Sequence, residues 1–257
     1  MAQLGFVYER YASDALKKYD LVPATFTPAG AGADQPDLII KKPGPRALGQ
    51  SGCELKISPA ASGGSLVLKY INGKWQFDEI PVKDVEKRFI KAVAIRAKAL
   101  DKINKAWSGI ESYKFATSAL LINEKKVLTK KEQYKKELKR FPDVKGEIPS
   151  TEIEGYYNTK DTYYINVGTH GLYLLGQKNP LKLNGLRTFG KMATAGYRAR
   201  VQNKGGGNYQ FTFELTFGII RQNRSDYNIA PVTSAKNVMI NLDVMEKSIA
   251  QLFKVEI

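Results

Sequence analysis

QPDLIIKKPGPRALGQSGCELKIS, residues 35–58, places Asp37 before one apolar run and Glu54-Leu55-Lys56 inside the next. LIIKK and CELKIS have the length and aliphatic content of strands. The proline- and glycine-rich stretch between them is turn chemistry, so the two predict an antiparallel hairpin. Side chains alternate across a strand, which puts Cys53, Leu55 and Ile57 on one face and Glu54 and Lys56 on the other. The first face supplies packing. The second brings Asp37 beside Glu54, with a lysine next to them. Two carboxylates held together repel, and a divalent cation between them removes the repulsion. Magnesium is commonly held by one or two carboxylates together with a substrate phosphate. Asp37 and Glu54 are the expected metal ligands. Such an ion can polarise a phosphodiester and lower the pKa of a bound water. Lys56 is then placed to orient or deprotonate that water, or to steady charge on the phosphate.

Upstream, FVYERYASDALKKY at 6–19 predicts a helix, with Val7, Tyr8, Tyr11, Ala15 and Leu16 at helical spacing. Glu9 sits at the edge of that stripe. It reads either as a third carboxylate reaching the site or as a surface acid beside Arg10. Downstream, SLVLKYI and KWQFDEI flank Asn72-Gly73, a strong hairpin signal. The first 80 residues thus predict a helix and a meander of four strands. Residues 82–106 predict one long helix with Val82, Val85, Phe89, Val93, Ala97, Leu100 and Ile103 on its apolar side.

A strand is expected at 115–122 and a lysine-rich helix at 129–141, where Thr129 and Glu132 form a capping-box pattern. TYYINVG and GLYLLG read as short strands. GYRARVQ and NYQFTFELTFGII read as a long hairpin around Lys204-Gly205-Gly206-Gly207. In it Tyr197, Ala199 and Val201 alternate with Arg198, Arg200 and Gln202, and the second strand carries aromatic residues on one side. NVMINLDVMEKSIAQLFK predicts a strand running into a short helix.

The chain has 257 residues and a net charge of +15. Long-range attraction and counterion release make a polyanion the natural partner of so basic a protein. Residues 1–70 are nearly neutral at +2, whereas 71–150 carry +8 and 151–257 carry +5. The candidate site therefore lies in the neutral part, and the surroundings are expected to hold the nucleic acid. One cysteine rules out an intramolecular disulfide framework. With one histidine, it also argues against a Cys/His zinc site. No apolar run approaches the roughly 20 residues of a membrane span. A cytoplasmic setting is expected.

Pro36-Asp37, sixteen intervening residues and then Glu54-Leu55-Lys56 resemble the PD-(D/E)XK nuclease motif. The resemblance covers mainly residues 6–107. It implies an α/β fold with a central mixed β-sheet and flanking helices, restriction endonuclease-like, here with a β-rich C-terminal part. It also implies a single nuclease domain, its catalytic core at about 6–125 and its DNA-binding part at about 126–257. The family commonly adds a carboxylate from the preceding helix, which is the position of Glu9. The implied reaction is hydrolysis of double-stranded DNA with magnesium, manganese being a possible substitute, by a type II restriction-type enzyme acting as a homodimer. The competing readings are a non-catalytic nucleic-acid-binding protein and a structure-specific or degradative phage-type nuclease.

Other residues have narrower readings. Arg198, Arg200 and Gln202 are candidates for DNA contact, because arginine can read guanine edges bidentately; a plain surface strand is the alternative. Cys53 reads as a small core residue rather than a nucleophile. His170, without a nucleophile beside it, reads as a turn or DNA-contact residue. GAGAD at 30–34 lacks the Gly-Lys-Ser/Thr ending of a phosphate loop.

Overall fold

The computed structural model describes residues 2–28, 35–44, 49–58, 60–108, 121–123, 126–128, 130–205, 208–219 and 223–256. GAGAD, Thr129 and most of the expected 115–122 strand lie outside them. The chain opens with α1 (Ala2–Lys17), β1 (Leu38–Lys41), β2 (Gln50–Lys56), β3 (Ala60–Ile71) and β4 (Lys74–Phe77). Then come α2 (Val85–Arg96), α3 (Ala99–Ala106), β5 (Leu121–Asn123), β6 (Lys126–Leu128), α4 (Lys130–Arg140) and β7 (Val144–Ile148). The last part holds α5 (Thr151–Asn158), β8 (Thr162–Val167), β9 (Gly171–Leu174), α6 (Phe189–Met192), β10 (Ala193–Gly205), β11 (Asn208–Ile219) and α7 (Leu242–Phe253). The architecture is mixed α/β, with two main sheets and helices.

Two compact units form. The first comprises residues 1–61, 150–195 and 217–257, the second 62–149 and 196–216. This grouping cuts across the expected parts at 6–125 and 126–257, because β8 returns to pair with β2. The first unit's sheet has the order β1-β2-β8-β9. The β1–β2 hairpin is antiparallel, with Leu38 opposite Cys53 and Ile39 opposite Gly52. β2 and β8 run parallel, with Glu54 opposite Ile165 and Leu55 opposite Asn166.

The core of this unit forms as the alternation predicts. Leu38, Ile40, Cys53, Leu55, Tyr164 and Leu172 join Tyr8, Ala12, Ala15 and Leu16 of α1 and Met245 and Ile249 of α7. Tyr11, expected in the helical stripe, is exposed; Ala12 takes the inner position instead. α7 begins at an Asn241 cap whose side chain accepts the Val244 N–H. The strand expected before it is absent. There the Asn237 side chain accepts the Met239 N–H, which holds a local turn instead.

The second unit's five-stranded sheet has the order β4-β3-β11-β10-β7. The expected four-strand meander is thus split between two sheets, β1 and β2 in one, β3 and β4 in the other. Its core is aromatic. Trp75, Trp107, Phe141 and Phe211 meet with ring centroids 4.7–5.9 Å apart. Asn104 of α3 clamps Trp75 from both sides, accepting its N–H at 2.7 Å and donating to its carbonyl at 3.0 Å. Asn72 and Gly73 both take positive φ, 51° and 76°, as the turn between β3 and β4 requires. The long helix expected at 82–106 is two helices. α2 starts three residues later, where Asp84 caps the Lys87 N–H, and Lys98 at φ 49° breaks the run before α3.

Candidate active site

The hairpin delivers the charged cluster that its spacing predicts. The Asp37 carboxylate accepts the Leu55 N–H at 2.8 Å, a bond across the hairpin that fixes the acid next to the Glu-x-Lys segment. The Lys56 ammonium salt-bridges Glu54 and stands 3.9 Å from Asp37. These side chains are only 9–24% exposed, so they interact in a medium that screens poorly. Burial raises Asp37 from an ordinary 3.8 to about 6, and the Glu54 charge adds to the rise. Burial also works against the Lys56 ammonium, but Glu54 and then Asp37 outweigh it and hold its pKa above the usual lysine value.

Glu9 joins this field from α1. Burial and then the Asp37 charge raise it to about 7, while Lys56 pulls the other way. The structure thus brings Asp37, Glu54 and Lys56 into contact, and Glu9 within electrostatic reach. No group of three or more His, Cys, Asp or Glu among the described residues has the arrangement of a metal cage.

Several positioning residues have no motif to announce them. Asn166, buried on β8, donates to the Tyr8 hydroxyl at 3.3 Å and accepts the Ile229 N–H at 3.1 Å. Tyr8 in turn donates to the Ala230 carbonyl at 2.6 Å. These bonds tie α1, and therefore Glu9, to the sheet. Gly168 donates to the Lys56 carbonyl at 2.7 Å. A Cβ there would stand 2.9 Å from the Tyr8 hydroxyl, so the close approach requires glycine. Lys160 also acts on Asp37 electrostatically, lowering its pKa. The one available signal was its place just before a strand.

The remaining candidates sit elsewhere. Arg198 and Arg200 alternate with buried Tyr197, Ala199 and Val201 as expected. Both, however, hold Glu214, whose side chain is 2% exposed: the Arg198 Nε donates to it at 2.7 Å and Arg200 at 3.1 Å. The Gln202 side-chain oxygen accepts from Thr212 at 3.4 Å. This strand belongs to the second unit. Cys53 is fully buried, and burial pushes its thiol well up, in keeping with a core residue. His170 is buried in the β8–β9 turn, with Thr169 Oγ1 2.8 Å from its Nδ1.

No protein-family model matches the chain, and no curated protein or solved structure matches it. No helix among the described residues is long and apolar enough to cross a membrane.

Proposed function

We propose that the chain is a metal-dependent endonuclease that hydrolyses phosphodiester bonds of double-stranded DNA, of the type II restriction type. In this reading the first unit is a restriction endonuclease-like catalytic core. The observation that carries it is the meeting of Asp37, Glu54 and Lys56 on one sheet face, with Glu9 sharing their field. Burying acids that must stay charged costs stability, and active sites are where such costs concentrate.

The donor set fits magnesium, with manganese as a substitute, because it is all carboxylate oxygen. Asp37 binds a proton up to about pH 6, so its negative charge is held at a cost that a cation would relieve. Asp37 and Glu54 would hold the ion, with Glu9 assisting. When bound, it would polarise the phosphodiester and ease ionisation of the attacking water. Lys56 is a cation held by two carboxylates, and it can accept a proton only after losing its own. Its role is therefore to donate N–H to a phosphate oxygen or to the water. Glu9, titrating near 7, exchanges a proton close to neutrality and is the cluster's candidate proton carrier.

Arg198, Arg200 and Gln202 are proposed DNA contacts. Glu214 fixes both arginines and Asp143 stands 3.9 Å from the Arg198 Nη1, while the arginine side chains remain 27–30% exposed. Cutting both strands of a duplex suits a homodimer with two symmetric sites, in the cytoplasm. Incubation with plasmid DNA and magnesium tests the proposal. Linear or nicked product that disappears in EDTA supports it; intact plasmid in both contradicts it.

A second reading has its own observation. Lys56 already pairs with Glu54 and stands 3.9 Å from Asp37, so the cluster can stand as a buried ion-pair network without a metal. The protein would then be a non-catalytic nucleic-acid binder relying on its +15 charge. DNA binding without magnesium-dependent cleavage would select it.

A further inference from the structure

A cavity of about 1050 Å³ is lined in part by Pro36, the residue before Asp37. Ile39 and Gly52, which are paired across the hairpin, line it. Ile39 follows Asp37 by two residues and Gly52 precedes Glu54 by two, so strand alternation puts these two lining residues on the sheet face of the carboxylates. The Lys160-Asp161 turn also lines it. That turn is firmly placed. Asp161 takes a positive φ of 49°, and its carbonyl accepts the Gly52 N–H at 3.1 Å. A Cβ at residue 52 would meet that carbonyl at 2.7 Å, so the approach requires glycine.

The lining chemistry is specific. Phe26 and Tyr163 are half-buried rings, and Gln35 and Gln50 are exposed amides. Lys160 and Asp161 are its charged residues, and the Lys178 ammonium stands 5.4 Å over the Tyr163 ring. One cation, one anion, two rings and two amides suit a nucleobase with its single phosphate rather than a bare anion. The volume of about 1050 Å³ lies just above the roughly 300–1,000 Å³ of small-ligand clefts, room for a base with its sugar and phosphate.

We propose that this cavity seats a nucleotide of the cleaved strand next to the scissile phosphate. Its base lies against Tyr163 or Phe26, Gln35 and Gln50 meet the base edge, and Lys160 holds its phosphate. The proposal rests on the nuclease reading and adds to it a subsite for a nucleotide drawn away from its stack. Rings supply stacking for any base, while amides can discriminate among edges.

The test uses the 257-residue chain in calcium, and an oligonucleotide duplex carrying one abasic position moved stepwise along it. Wild-type protein should lose affinity when the abasic position reaches the cavity, by about five- to 150-fold, the range for one base–aromatic stack. Tyr163→Ala should bind intact DNA equally weakly and show no further abasic penalty. Lys160→Ala should lower the salt slope by about 0.9, one phosphate contact. The abasic series needs no altered protein, so a poorly folded variant does not obscure the result. If wild-type protein cleaves DNA in magnesium, yet no abasic position and neither substitution changes affinity, the cavity assignment falls and the nuclease reading stands. If wild-type protein neither binds nor cleaves DNA, both fall.

Discussion

Asp37→Asn separates a functional carboxylate from a structural one. The amide keeps the shape and can still accept the Leu55 N–H, now at 2.8 Å, but it loses the charge. In the folded protein Asp37 titrates at about 6 instead of 3.8. At about 1.36 kcal/mol per pH unit that is at most about 3 kcal/mol spent on keeping the acid ionised. Coupling to Lys56 and Glu54 makes about 1–3 kcal/mol the working range. The raised pKa means that the folded state keeps a proton that the unfolded chain releases. Wild-type stability therefore falls as pH rises from about 4 to about 6, and the deficit is complete above that. In EDTA at pH 8 the Asn variant should be the more stable protein by that amount, and below pH 4 the two should converge. Magnesium should restore the wild type, by about 2.7 kcal/mol at a hundred times its dissociation constant, and leave the variant unchanged. Urea unfolding across pH 4–8, with and without magnesium, measures both effects. A variant less stable than wild type at pH 8 in EDTA, with an equal magnesium response, would refute the reasoning and make Asp37 the structural partner of Lys56.

Glu9→Gln should remove a titration near pH 7 from the pH–rate profile, and an unchanged profile would exclude Glu9 from proton transfer. Lys56→Ala should abolish cleavage while magnesium still binds, as calorimetry can show; wild-type rates would remove Lys56 from the chemistry. Arg198→Ala leaves the buried Glu214 with Arg200 alone and should cost about 1–3 kcal/mol of stability. On a randomised DNA library the same variant should change which sites are cut, and a uniform loss would confine Arg198 to holding the framework.

What was legible in the sequence was local. The β1–β2 hairpin joins segments a turn apart, so alternation and punctuation alone placed Asp37, Glu54 and Lys56 together. Asn72-Gly73 announced its turn because few residues tolerate two successive positive φ angles. The β2–β8 pairing was not legible. It joins residues about a hundred positions apart, and a parallel pair separated by a second unit leaves no trace in either strand. That silence is also why β1 to β4 read as one meander. Lys98 hid a helix break because a lysine at positive φ has no compositional signal. The polar faces of β10 and β11 were legible, but not the ion pairs between them, because alternation assigns a face and not a partner.

The most direct measurement is the magnesium-dependent conversion of supercoiled plasmid by wild-type protein beside Asp37→Ala and Glu54→Ala, with DNA affinity measured for all three. Nicked and linear product is expected for the wild type only, none in EDTA, and comparable DNA affinity throughout, because the altered side chains hold the metal rather than the duplex. Cleavage by either variant at the wild-type rate would contradict this expectation, as would a wild type that binds DNA and never cuts it.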